Sequence, residues 1–183
     1  MARPTRSTTV ALALPLLLAV VVAGIAIWAR AGASDRPAPD TSPLVLVPVD
    51  APRAAGPDCA DLLAGLDGDL PAGGTTLPAR TLAQPRPPGA RAWAASPDPV
   101  VLRCGLPRPA ELTPTSGLLE IDGVRWLRLD DATTDPQRET YVAVDRPVYV
   151  ALTFPTGVGS GPVQAVSDVV RTRLPATPVA VSP

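Results

Sequence analysis

Leu118–Leu129 reads LLEIDGVRWLRL. Two apolar runs, Leu118–Ile121 and Val124–Leu129, flank Asp122-Gly123. Asp-Gly between such runs predicts a two-residue hairpin, because both central positions of that turn must accept positive φ. In the second run Val124 and Trp126 face one way, Leu127 and Leu129 the other. The stretch therefore commits the chain to an antiparallel sheet.

Downstream, Thr140–Val144 and Val148–Phe154 form a second hairpin around Asp145-Arg146-Pro147. Val148, Val150, Leu152 and Phe154 alternate with Tyr149, Ala151 and Thr153, so one face of this strand is expected to be buried. Upstream, Val100–Cys104 is a strand with Val100, Leu102 and Cys104 on one face and Val101 and Arg103 on the other. Gly73–Pro99 carries six prolines and reads as irregular, with short extended pieces at Thr75–Leu82 and Ala90–Ala94. Leu44–Val49 is strand-like, but Pro48 lacks a donor and demotes it to an edge strand or extended arm.

Two helices complete the pattern. Pro57–Leu66 opens with a proline suited to a first turn and with Asp58 and Asp61 near the positive helix end. Cys59, Leu62, Leu63 and Leu66 share one face. Pro162 opens the second, which runs to Leu174 with Val163, Val166, Val170 and Leu174 as its apolar stripe, and Pro175 stops it. Residues 44–175 thus read as an α+β domain: two layers, a four- or five-stranded, mainly antiparallel sheet, and two helices on one face. Residues 176–183 read as a frayed tail.

Ahead of this domain lies Val10–Ala29, VALALPLLLAVVVAGIAIWA, twenty residues without a charge. At 1.5 Å per residue they reach roughly 30 Å, one bilayer core. This predicts an N-terminal transmembrane helix at 10–29, with 1–9 as a cytoplasmic tail and 30–43 as a Pro-rich linker. Arg3 and Arg6 before the run favour a cytoplasmic amino end. The rival is a cleaved signal, for which Ala31-Gly32-Ala33 supplies small residues. Both readings export the domain, to a single-pass cell-membrane location or to secretion.

Outside the cytoplasm, the two cysteines, Cys59 and Cys104, read as a disulfide. Each sits on the apolar face of its element, so the bond would pin the first helix to the sheet. No Cys-x-x-Cys spacing suggests a redox pair.

Composition narrows the chemistry. The chain has no histidine and no lysine among its sixteen basic residues. That removes the commonest acid/base and metal ligand, Schiff-base and P-loop chemistry, and any Ser-His-Asp arrangement. No cofactor or metal is expected, and a net charge of −1 argues against nucleic acid. What remains is carboxylate chemistry, a hydrolase centred on Glu120, Asp130 and Asp131 with Asp135 nearby. Gly157–Gly161 before a helix resembles a phosphate cradle but matches neither the Walker loop nor the dinucleotide fingerprint, so a loop and helix cap is expected. Five arginines fall between Arg80 and Arg108 (Arg80, Arg86, Arg91, Arg103, Arg108) against one acid, Asp98. A basic surface of this kind suits an anionic envelope component such as a phospholipid head group. Trp93, Arg103 and Trp126 are the ligand-binding candidates: a Trp–Arg pair on a sheet face left open by the helices would stack on or grip a carboxylate or phosphate.

The run Trp93–Gly105, WAASPDPVVLRCG, resembles the hallmark of an actinobacterial family, the domain-of-unknown-function family 3515. Cys59–Leu63, Gly123–Trp126, the closing helix after Gly161-Pro162 and the single N-terminal hydrophobic segment are similar too. The resemblance spans Asp58–Pro175. It implies an exported, membrane-associated envelope protein and brings no activity, cofactor or catalytic residue. The expected function is a non-catalytic binding or interaction module of the bacterial cell envelope, with an envelope protein or anionic lipid as partner. The alternative is the carboxylate hydrolase.

Overall fold

The computed structural model describes residues 18–28, 38–129 and 137–180. The chain divides into two units, residues 1–38 and 39–183. In the first, residues 18–28 are helical (α1), with Leu18, Ile25, Ile27 and Trp28 exposed. Among the described residues no helix is long and apolar enough to cross a membrane. The expected transmembrane helix is described only over α1. The rest of 10–29, the tail 1–9 and linker residues 30–37 lie outside the described residues.

The second unit is α+β. Its elements are α2 (Pro57–Gly65), β1 (Leu70–Ala72), β2 (Thr75–Leu77), β3 (Ala90–Trp93), β4 (Val100–Leu106), β5 (Leu118–Ile121), β6 (Val124–Leu129), β7 (Arg138–Ala143), β8 (Tyr149–Pro155) and α3 (Gly161–Arg173). Strands β3–β8 form one antiparallel sheet in the order β3-β4-β8-β7-β6-β5. The sheet has six strands rather than the expected four or five. Every short extended piece from Ala90 onward is recruited, because each finds a partner for its backbone groups. A separate two-stranded ribbon, β1–β2, turns on Gly73-Gly74, both at positive φ. Leu44–Val49 is an arm rather than a strand: only Leu44 bridges, to Leu82.

Both helices pack on one face, as expected. Cys59, Leu62 and Leu66 of the first helical stretch and Val163, Val166, Val170 and Leu174 of the last meet Val100, Leu102, Val150, Leu152 and Phe154 in one core. The predicted disulfide joins these layers: Cys59 and Cys104 are bonded and fully buried. Tyr141 stacks on Phe154 at 5.5 Å between ring centroids on the same face.

The opposite face is also covered. Leu112, Leu127, Val142, Val144 and Ala151 form a second core with Tyr149 and Val179 packed against it. Residues 176–180 are therefore docked, not frayed. Thr177 N–H donates to the Asp145 carbonyl and Arg108 Nε to the Ala180 carbonyl. The physical reason is that β8 is apolar on both faces, so the chain beyond α3 folds back to seal the second.

Trp126 shows how the helix is keyed to the sheet. Its indole N–H donates to Ser167 Oγ at 2.9 Å, and Ser167 donates to the Val163 carbonyl one turn earlier at 2.7 Å. Ser167 is completely buried. Ser167→Ala strands the indole N–H in an apolar core, so it is expected to cost about 1–2 kcal/mol. A lower urea midpoint at unchanged slope is the reading to look for; an unshifted midpoint would mean that the indole finds another acceptor.

Candidate functional site

The structure does not bring Trp93, Arg103 and Trp126 together. Register explains why. Trp126 lies across from Ala143, Ala143 from Val150, and Val150 from Cys104. Trp126 therefore shares the Cys104 face, beneath the helices. Trp93 lies across from Val100 on that same face, and its indole donates to the Gly68 carbonyl at 2.9 Å. Both tryptophans are buried. Arg103 is on the other face, where Nη2 donates to the Val47 carbonyl at 2.9 Å. Burial pulls its pKa below arginine's ordinary value, by desolvation of the charged form. A Trp–Arg platform needs one shared face, and strand parity separates these residues.

Three arginines of the stretch border one cleft, but strand parity sends Arg80, across from Ala92, and Arg91, across from Leu102, to opposite faces. A cleft of about 330 Å³ opens beside β3, walled by residues 79–82, the loop 86–89, β3 itself and Leu63 of α2. Arg80, Arg86 and Arg91 line it, with no acidic residue in the lining. Arg80 is buried in the wall. Its Nε donates to the Ser42 carbonyl at 2.7 Å, and its Nη2 sits 2.6 Å from Asp40 Oδ2. The Asp40 carboxyl is held below its usual range, first by hydrogen bonds from the Ser42 side chain and backbone and then by Arg80. Arg91 is pinned by the Leu63 carbonyl and by Asp67, both at 3.0 Å. Its Nε is buried without a hydrogen-bond partner. Arg86 stands exposed at the rim and, among the described residues, has no ion-pair partner. The other two arginines of the stretch are employed elsewhere: Arg103 as above, and Arg108 on the Leu112 and Ala180 carbonyls.

The run Trp93–Gly105 is now accounted for piece by piece. Trp93 anchors β3 to the chain after α2, Val100–Leu106 is the strand beside it, Cys104 carries the disulfide, and Gly105 sits at the register shift of β4 with φ +85°. A family model described as protein of unknown function (DUF3515) matches residues 10–179. The chain belongs to the DUF3515 family. Neither a curated protein nor a solved structure matches it.

Two other features of this DUF3515 domain bear on chemistry. Of the carboxylates considered for hydrolysis, Asp130, Asp131 and Asp135 lie outside the described residues. Glu120 is exposed on β5, in register with Arg125 of β6. No cluster of three or more metal-ligating side chains occurs among the described residues. The loop Gly157–Gly161 ends at a close packing contact. A Cβ on Gly161 would stand 2.4 Å from the Ala72 carbonyl carbon, so the backbone of β1 packs directly against the start of α3. That glycine serves close packing of backbone on backbone, and Ser160 at the helix start makes no side-chain capping hydrogen bond.

The five arginines were expected to form one basic surface; the structure instead distributes them, and only Arg80, Arg86 and Arg91 border the cleft. The signal lay in charge imbalance within a Pro-rich stretch. Which of the five arginines border one cleft depends on the loop 83–89 folding back along β3.

Proposed function

We propose that this DUF3515 protein is a membrane-anchored module whose disulfide-bonded domain stands outside the cytoplasm and binds, without catalysis, an anionic component of the cell envelope. The observation that supports this address is the Cys59–Cys104 bond. Disulfides persist in oxidising compartments and are rare in the cytosol, where thiols are kept reduced. The uncharged run 10–29 behind Arg3 and Arg6 supplies the export signal and tether. The absence of His and Lys, with both thiols consumed, leaves few groups able to exchange a proton near neutral pH. The arginine excess of residues 80–108, with Arg86 exposed beside the cleft, supports an anionic partner.

The test has two arms. A reporter enzyme that is active only outside the cytoplasm, fused after Pro183, is expected to be active, and the membrane-bound protein is expected to have its full-length mass. A silent reporter together with two titratable thiols removes the reading. A shortened mass with an active reporter replaces the anchor by a cleaved signal.

A further inference from the structure

We propose that the arm at residues 44–49 is an interface between two copies of this chain, in which the two arms pair as antiparallel strands about a two-fold axis through Val47. Exposure points to the arm first. Val45, Val47 and Val49 are 78%, 74% and 47% exposed. Outside α1, Leu119 is the one other large apolar side chain among the described residues that is exposed. The three valines alternate with Leu46 and Pro48, so in an extended chain they form one row. β-Branched side chains suit a strand.

The backbone of the arm is open as well. Leu44 uses both of its backbone groups on the neighbouring segment: its N–H donates to the Thr81 carbonyl and its carbonyl accepts from Ala83 N–H, both at 2.9 Å. Among the described residues, the amides of Val45, Leu46, Val47 and Val49 donate to no group of the chain. Extended backbone turns successive residues to alternate edges. Leu44, Leu46 and Pro48 share the edge toward residues 81–83, where Pro85 has no N–H with which to continue the ladder. Val45, Val47 and Val49 share the other edge, and each keeps its N–H. The missing donor of Pro48 therefore falls where it costs nothing. Arg103 Nη2 donates to the Val47 carbonyl, which leaves the second lone pair of that oxygen open. Together with Leu44 it holds the arm in place before a partner arrives, so little order is left to impose.

An unpaired edge is a template for another strand, and the row of valines is complementary to itself. Set antiparallel on a second copy with Val47 opposite Val47, the arm places Val45 opposite Val49 and Val49 opposite Val45, so valine meets valine at every position of the row. Shifted by two residues, the edge meets either Pro43, which has no N–H, or Ala51 at the start of a turn. Residues 43–49 carry no charge, so two copies meet without repulsion. A two-fold contact of this kind closes on itself as a dimer. The edges of the main sheet are guarded by comparison. The segment after β2 runs along β3, with Ala79 bridged to Trp93, and β5 is four residues long with Glu120 exposed. The pairing goes beyond the binding-module reading and holds for an anchored or a secreted chain.

Oxidative cross-linking of single-cysteine variants of the full chain tests this, in the cell fraction that holds the protein, so the result does not depend on the address. Cys59 and Cys104 are bonded and buried and stay out of the reaction. Val47→Cys is expected to give a disulfide-linked dimer, since facing residues of such a pair stand about 5.5 Å apart between Cα atoms, within disulfide range. Chains carrying Val45→Cys and Val49→Cys, expressed together under different tags, are expected to link to each other. Neither is expected to link to itself, because like positions then lie about 14 Å apart along the strands. In the Val47→Cys background, Val45→Lys with Val49→Lys sets like charges opposite and is expected to lose most of the dimer band; Val45→Lys with Val49→Asp is expected to restore it. All three positions are exposed, so the fold survives these changes. Val45→Cys linking to itself as readily as to Val49→Cys, or a Val47→Cys band unchanged by the two lysines, overturns the proposal. A Val47→Cys chain that stays monomeric overturns it as well: a thiol open to a water-soluble maleimide then marks an uncovered arm, and a shielded one assigns the row to lipid or to another protein.

Discussion

Replacing Cys59 and Cys104 together by alanine is expected to cost the domain about 4 kcal/mol. The bond spans a sequence separation of 45 residues, and closing a loop of that length removes chain entropy from the unfolded state, not from the folded one. With typical domain stabilities of about 5–15 kcal/mol, the loss leaves a marginal fold. For a domain of this size it lowers the thermal midpoint by about 10–15 °C. Wild-type protein heated with reductant should approach the midpoint of the double variant. Under native conditions it should resist the same reductant, since Cys59 and Cys104 are 0% and 1% exposed and thiol exchange needs access to sulfur. A change below about 1 kcal/mol would show that the helix and sheet hold each other without the bond, and the loop-closure account would fail.

Gly105→Ala is expected to be of similar size for an unrelated reason. Gly105 has φ +85°, and a Cβ there would lie 2.3 Å from the Ala54 nitrogen and 2.4 Å from the Arg53 carbonyl carbon. Those are backbone atoms held in place, since Arg53 N–H donates to the Gly105 carbonyl at 3.1 Å. The left-handed conformation costs about 1–2 kcal/mol and forced overpacking about 1–3 more. Gly123→Ala is the matched control. Its φ is +76°, but the nearest atom is the Arg171 Cδ at 3.3 Å, the flexible part of a side chain. Gly123→Ala should therefore lose only the conformational part. Denaturant midpoints of the two variants decide the matter: if Gly105→Ala is no worse than Gly123→Ala, the close approach of residues 53–54 is not holding β4. The damage should reach the cleft. Ala54 also abuts Gly89 in the cleft wall, where a Cβ would stand 2.8 Å from the Ala54 Cβ.

These two neighbours in the chain mark how much could be read in advance. Cys104 was legible. Two cysteines behind an export-like run, each on an apolar face, leave one pairing, and periodicity placed both faces. The hairpins at Asp122-Gly123 and Asp145–Pro147 and the stripes of α2 and α3 were legible for the same reason: they depend on residues within a few positions of one another. Gly105 was legible only as a break after a strand. Its role belongs to Arg53 and Ala54, some fifty positions away.

The candidate site follows the same division. Charge counting picked out the stretch Arg80–Arg108, and parity within β4 correctly set Arg103 opposite Cys104. Neither told which sheet face Trp126 would share with Cys104, because that passes through three pairings, β6 to β7 to β8 to β4. Nor did local pattern show that β8 would be buried on both sides and draw the carboxyl-terminal tail onto the sheet.

What the amino-acid order determined alone is therefore the local: helix faces, tight turns, strand parity, the cysteine pair and the excess of arginine. Tertiary structure alone decided strand order, the sixth strand, the ribbon β1–β2 and which arginines border the cleft beside β3. The reason is physical. Short-range elements follow from backbone sterics and side-chain period, whereas neighbours distant in sequence are chosen by the collective burial of apolar surface and the pairing of every backbone donor, which no single stretch encodes.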